Sequence, residues 1–244
     1  MNQFFKKVGI FLLEIFFPIR CINCQRENFY LCPDCFSLIE LNNQHYCPFC
    51  RPAKIVLDGK TCSSCRQKGK KLTGLFFAAP YQNFILKKII SQYKYEPFVK
   101  DLSKTLSLLI IQHFQTIDNK PSFFKDKRDF VFVPVPLSQK RKKWRGFNQA
   151  EEIAKELSLY YNIPLANNVL LKIKDNFSQT DLSGKEREEN VRGIFKCISS
   201  EAIKNKKILL VDDVFTTGST MEECALTLKQ AGAKEVWGIA VARE

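Results

Sequence analysis

Two adjacent acids, Asp212 and Asp213, close an apolar run at 208–211, and a cluster of small residues, Thr216-Thr217-Gly218-Ser219-Thr220, follows after two spacers. Met221, Cys224, Ala225 and Leu228 then recur at i, i+3, i+4 and i+7, the spacing of one helix face. The pattern reads as a strand, an acidic tip, a hydroxyl-rich loop and a helix N-terminus. Helix N-termini present free N–H groups and the positive end of the helix dipole, so they bind phosphate. Paired carboxylates beside such a site suit ribose hydroxyls or a hydrated Mg²⁺. A phosphorylated ribose would be held at both ends. A capped helix behind a buried strand, with Ser219 or Thr220 as N-cap and Glu222 or Glu223 three residues in, would explain the hydroxyls. It would leave the two acids without a reason.

A second constellation is basic. Lys140, Arg141, Lys142, Lys143 and Arg145 crowd the segment 137–149, just after the apolar strand pattern FVFVPVP at 130–136. Asn148 with Glu151 forms a capping-box pattern, and Ala150, Ile153, Ala154 and Leu157 give the face of the helix that follows. The basic run is therefore expected in a strand-to-helix loop. In open α/β sheets, ligands bind outside the carboxyl ends of the strands. If both strands belong to one parallel sheet, the basic loop and the acidic tip share a rim. A pyrophosphate would need that positive charge, with Gly146 as a hinge. The polar stretch 175–190 could reach back over a bound phosphate as a lid, through Gln179, Arg187 and Asn190; the alternative is disorder.

Eight of the ten cysteines lie in four CxxC pairs: Cys21/Cys24, Cys32/Cys35, Cys47/Cys50 and Cys62/Cys65. Two such knuckles supply the four thiolates of a tetrahedral Zn²⁺ site, so four knuckles make two structural sites. Sequential pairing is simplest, and spacing leaves a crossed pairing open. A disulfide framework would expect an export signal, and a thioredoxin-like site would expect one CxxC beside a βαβ pattern. Neither is found. His45 is not needed as a ligand, His113 reads as an ordinary helix residue, Cys224 reads as core, and Cys197 has no assigned role.

The elements that must position these groups are α/β. Strands are expected at 75–81, 130–136, 169–173, 193–198 and 208–211, and helices at 83–94, 98–117, after Asn148 and after the 216–220 loop. The chain divides into an N-terminal amphipathic helix (1–20), a double zinc ribbon (21–70) and an α/β domain (71–244). Residues 4–17 are apolar but broken by Lys6, Lys7 and Glu14, short of the roughly 20 residues of a membrane span. They are expected to pack on the protein or a partner, with contact at a membrane interface as the alternative. The net charge of +13 favours polyanions, and some of the 21 phenylalanines could serve as stacking platforms for bases.

The segment 207–220 resembles the signature of the type I phosphoribosyltransferases. With FFPIRC, the paired knuckles, VPVPLS, RGFNQA and the stretch Gln179, Arg187, Asn190, Phe195, nearly the whole chain resembles the ComF family (ComFC and GntX-like proteins), loops 51–61 and 118–129 least. The resemblance implies a central parallel sheet flanked by helices, preceded by a small double zinc-ribbon module. It implies a phosphoribosyl pyrophosphate (PRPP) site with Mg²⁺. Asp212 and Asp213 would hold the ribose, Thr216 to Thr220 the 5′-phosphate, and Pro136, Leu137, Ser138, Arg141 and Arg145 the pyrophosphate. It further implies a cytoplasmic protein of natural transformation or related DNA handling. Single-stranded DNA, the family's helicase-like partner and other competence proteins would be its company. Enzymes acting on 6-oxopurines carry an acid at the position of Thr216, so hypoxanthine-guanine salvage is disfavoured and the acceptor is unassigned. The alternatives are a DNA- or partner-binding module without catalysis and a nucleobase salvage enzyme.

Overall fold

The computed structural model describes residues 18–118, 120–121, 127–174 and 191–244. The expected helix within 1–20 lies almost wholly outside the described residues, as do Gln179, Arg187 and Asn190. In chain order the elements are α1 (Pro33–Ser37), α2 (Ser63–Gln67), β1 (Gly74–Pro80), α3 (Phe84–Lys94), α4 (Leu102–Thr116), β2 (Phe130–Pro134), α5 (Gln139–Arg145), α6 (Gln149–Tyr161), β3 (Leu170–Lys172), β4 (Phe195–Cys197), β5 (Lys207–Phe215), α7 (Ser219–Gln230) and β6 (Glu235–Arg243).

Four strands form one sheet in the order β1-β6-β5-β2, and every pair is parallel. Parallel strands are covered on both faces, so they read as continuous apolar runs. Strand alternation sorts the core into two halves. Phe76, Phe132, Leu209, Val211 and Ile239 face α3, α4 and α6, whereas Phe77, Val133, Leu210 and Val236 face α7. The fold is thus the type I phosphoribosyltransferase arrangement expected from the sequence. β3 and β4 make a separate antiparallel pair, and the backbone N–H of Gly193 ties its approach to Glu223 of α7 at 2.7 Å.

Three expectations about the elements need correction. β5 does not end at Val211. It runs on to Phe215, because β6 extends beside it and pairs Asp212 with Ala240 and Phe215 with Arg243. The basic run is a helix rather than a loop: Ser138 caps α5 by accepting from the Arg141 N–H, and Gly146 ends it in the left-handed conformation at φ 78°. Lys and Arg are good helix formers, and the cap plus the glycine define one short helix before α6 begins. α4 also starts later than expected, at Leu102, since Phe98 holds φ 52° and cannot continue a right-handed helix.

The cysteine-rich segment lies along the outer edge of β1. Asn42 N–H donates to Ala78 O at 2.7 Å, Leu75 N–H to Gly59 O at 3.0 Å and Thr61 N–H to Thr73 O at 2.8 Å. A bare parallel edge would offer unpaired backbone groups to other chains, and these contacts cover it. Among the described residues, no helix is long and apolar enough to cross a membrane.

Candidate functional site

β2 and β5 are neighbours, so their carboxyl ends open onto one rim. A cavity of about 480 Å³ lies there, lined by Asp212, Asp213, Thr216 and Thr220 from one side and Pro136, Leu137, Arg141 and Arg145 from the other. Ser138 is buried beneath it as the α5 cap. The structure therefore brings the acidic and basic constellations together. Lys140, Lys142 and Lys143 do not line the cavity, and Lys142 pairs with Glu151 at 3.5 Å instead.

Alternation along β5 gives the two acids different surroundings. Asp213 is buried and meets the Lys94 ammonium, from the last turn of α3, at 2.8 Å. Burial alone would push Lys94 down, but the Asp213 carboxylate more than reverses this and holds it above its ordinary value. Asp212 has no ion-pair partner among the described residues. Burial, then the neighbouring Asp213 charge, pushes its carboxyl up to about 7, while Lys94 and Lys172 pull the other way. A carboxyl poised near neutrality can take up or release a proton as a cation or ligand arrives.

The 216–220 loop is built differently from a hydroxyl-capped turn. Gly218, not Ser219 or Thr220, occupies the N-cap of α7 at φ 83°, with no side-chain cap bond. The hydroxyls of Thr217 and Ser219 hydrogen-bond each other at 2.8 Å. A Cβ on Gly218 would stand 2.4 Å from Cζ of Phe215, so the ring of the last β5 residue lies directly under the turn. Glu222 accepts from the backbone N–H groups of Lys71 and Leu72 at 2.7 and 3.0 Å rather than closing a capping box. The first-turn amides of α7 are thereby left to the loop and whatever it binds.

Arg145 donates to Gln149 Oε1 at 3.0 Å and sits 5.8 Å from the ring centres of both Tyr95 and Trp144. Burial lowers its pKa, opposed by the Asp213 and Asp212 charges. Its Nε is buried with no partner among the described residues. Four cationic side chains in the lining (Lys94, Lys172, Arg141 and Arg145) thus face Asp212 and Asp213. Sequence reasoning missed Lys94, Lys172, Tyr81 and Tyr95. Lys94 closes an amphipathic helix and Lys172 sits in a three-residue strand, and nothing in either pattern marks them as cavity residues.

The eight knuckle cysteines form two sets, Cys21/Cys24/Cys32/Cys35 and Cys47/Cys50/Cys62/Cys65, with the sulfurs of each set within 4.8 Å of one another. The pairing is sequential. Tetrahedral zinc with Zn–S bonds of about 2.3 Å places its sulfurs roughly 3.8 Å apart. Cys24 to Cys32 is 3.5 Å, and Cys50 to Cys62 and to Cys65 are each 3.7 Å, so the residues fit that metal. His45 stays outside: its Nε2 meets Asp118 O at 3.0 Å. His113 is buried, its Nδ1 meets Asn42 O at 2.8 Å, and burial lowers its pKa to about 4. Cys224 is fully buried core.

The second cysteine set is wired to the cavity. Arg51, next to Cys50, donates to Thr216 O at 3.0 Å, and buried Arg243 donates to Cys47 O and Pro48 O at 3.2 and 3.4 Å. Phe49 and Phe215 pack with ring centres 6.5 Å apart.

Residues 142–243 match the family model of the phosphoribosyl transferase domain, which spans α5 to β6 and includes the acidic strand and the loop. Competence protein F of Haemophilus influenzae is 29% identical over 233 residues, covering 92% of this chain and 98% of that protein. Competence protein ComFC of Streptococcus pneumoniae is 29% identical over 209 residues, 84% of each chain. DNA utilization protein YhgH of Escherichia coli K12 is 28% identical over 178 residues, 72% of this chain and 75% of that one. The sheet and its rim thus define a phosphoribosyltransferase-class domain. With its two four-cysteine sets ahead of that domain, the chain is similar over most of its length to these competence and DNA utilization proteins.

Proposed function

We propose that the protein binds PRPP with Mg²⁺ and acts as a phosphoribosyltransferase-family protein in DNA uptake or related single-stranded DNA handling. The relatives' names, competence and DNA utilization, supply the second half of that reading. One observation carries the first half: two acids and two arginines face each other across one cavity, above a helix N-terminus left without a side-chain cap. Thr216 to Thr220 hold the 5′-phosphate through backbone N–H groups and hydroxyls. Asp212 and Asp213 take the ribose hydroxyls and help to place Mg²⁺. Arg141 and Arg145 receive the pyrophosphate, with Pro136, Leu137 and Ser138 setting the turn that presents them. Mg²⁺, when bound, supplies charge neutralisation on the leaving pyrophosphate. Gln179, Arg187 and Asn190 are the lid of this reading. Zinc in both cysteine sets is structural, since four thiolates leave no position for substrate. The site of action is the cytoplasm.

Thr216 lies in the cavity where a 6-oxopurine enzyme would present an acid. Its hydroxyl does not titrate near neutrality, so free-purine salvage is disfavoured. The test is calorimetric titration of PRPP and Mg²⁺ into zinc-replete protein, beside the Asp212→Asn/Asp213→Asn double variant. Saturable binding by the wild type, lost in a variant with an unchanged circular dichroism spectrum, is the expected result. Wild-type affinity in the double variant would overturn the ribose site, and no binding by folded wild type would overturn the PRPP reading.

A further inference from the structure

α5 carries five cations in seven residues (QKRKKWR) and buries none of its residues. Its aromatic residue, Trp144, is 53% exposed, and Tyr95, on the cavity wall, is 54% exposed. The two half-exposed rings stand by a single guanidinium, that of Arg145. These two are also held in place. Phe98 meets Trp144 edge-on with ring centres 5.0 Å apart, and the Arg145 guanidinium lies against both Trp144 and Tyr95. The result is a fixed row, Tyr95, Arg145, Trp144 and Phe98, leading outward from the mouth of the cavity. Lys140 and Lys143 flank it, and neither has an ion-pair partner among the described residues.

We propose that this row is a stacking platform for the unpaired bases of a single-stranded nucleic acid, with Lys140 and Lys143 on its phosphates. Bases have π-faces that aromatic rings and guanidinium planes bind without regard to sequence, and a polyanionic backbone matches the lysines. A duplex hides those faces. A lipid surface fits poorly, because α5 has one aromatic and no apolar stripe to insert. Tyr95 and Arg145 also line the cavity, so the row begins at the wall that holds Asp212 and Asp213. The inference rests on the nucleic-acid half of the reading above and not on its PRPP half.

The chain has two tryptophans, and the other, Trp237, is 6% exposed and stacked on Phe76 at 5.3 Å. Quenching of tryptophan emission by an oligonucleotide therefore reports Trp144. The experiment titrates an oligothymidylate of about 12 nucleotides, an abasic strand of equal length, a duplex and anionic vesicles into the full chain. Oligothymidylate is expected to quench and to bind more tightly than the abasic strand or the duplex. Trp144→Ala should weaken it, read by anisotropy of a labelled strand, about 5- to 150-fold, with partial recovery in Trp144→Phe. Lys140→Ala with Lys143→Ala should flatten the salt dependence by about 1.4 in the log–log slope. Strand binding that persists in Asp212→Asn/Asp213→Asn keeps this result separate from the fate of the PRPP site. Equal binding of abasic strand and oligothymidylate, unchanged affinity in folded Trp144→Ala, or a Trp144 response to vesicles alone would overturn the platform.

Discussion

Gly218→Ala is the sharpest test of how the 216–220 loop is held. The substitution adds one methyl group at φ 83°, with the new carbon 2.4, 3.0 and 3.2 Å from three atoms of the Phe215 ring. Carbon atoms prefer about 3.5–4.0 Å, so the ring must move by up to about 1.5 Å. Phe215 is 2% exposed and packed against Phe49, which leaves the ring little room to move. Left-handed backbone at a residue with a Cβ costs about 1–2 kcal/mol, and overpacking of this size about 1–3 kcal/mol. The expected destabilisation is therefore about 2–5 kcal/mol, measured by urea denaturation of zinc-replete protein. A double-mutant cycle divides it. On a Phe215→Ala background the clash is gone and the backbone strain remains, so Gly218→Ala should cost only about 1–2 kcal/mol there. The coupling of about 1–3 kcal/mol is the part that depends on the ring. Equal costs on both backgrounds, or a wild-type cost below about 0.5 kcal/mol, would refute the claim that Phe215 sets the loop.

Two further outcomes follow from the site. Asp212 has its carboxyl raised to about 7, so the folded protein binds a proton that the unfolded chain releases near pH 4, and stability contributed here is lost as pH rises through that window. Asp212→Asn removes the proton and should gain stability over wild type on the order of 1–3 kcal/mol at pH 8 but almost nothing at pH 4, read from denaturation of ligand-free protein at both values. A gain independent of pH would contradict the raised carboxyl. Cys47→Ser and Cys21→Ser should each lower bound zinc from two to one per chain by metal analysis, since each removes one ligand of a separate set. If the cavity binds PRPP, only Cys47→Ser should also weaken that binding severalfold, because Arg51, next to Cys50 of its set, holds the Thr216 carbonyl; equal losses in both variants would contradict that link.

Much of the sheet was legible because parallel strands, buried on both faces, leave unbroken apolar runs such as 130–135 and 208–211. The cysteine pairing was legible in its simplest form for a similar reason: a CxxC turn commits its sulfurs locally, and the nearest second knuckle completes the set. What lay hidden was decided across the chain. The strand limit at Phe215 depends on how far β6 extends beside it, which no local pattern around 212–215 encodes. The Lys94–Asp213 pair joins residues more than a hundred positions apart, and Lys94 looks like any cation at a helix C-terminus. The alternative of a Ser219 or Thr220 cap fails because Thr217 and Ser219 bond each other and the turn falls to Gly218, although hydroxyls near a helix start favour such caps.

The second cysteine set has a physical reason to sit where it does. A loop that offers its amides to a ligand cannot spend them on its own cap, so its shape must be imposed from outside. Its two flanks are both fastened to the cysteine-rich segment. On the strand side, Arg51 holds the Thr216 carbonyl and Phe49 backs Phe215. On the helix side, Glu222 of α7 accepts the Lys71 and Leu72 amides that follow the last knuckle. Arg243, at the end of β6 and paired with Phe215, reaches the carbonyls of Cys47 and Pro48 and so locks the knuckle to the same strand end. Short knuckles without a core of their own are rigid only when their ligands are fixed by metal. Zinc there would stiffen the loop from outside the cavity, so a metal remote from Asp212 and Asp213 would still set the loop's shape.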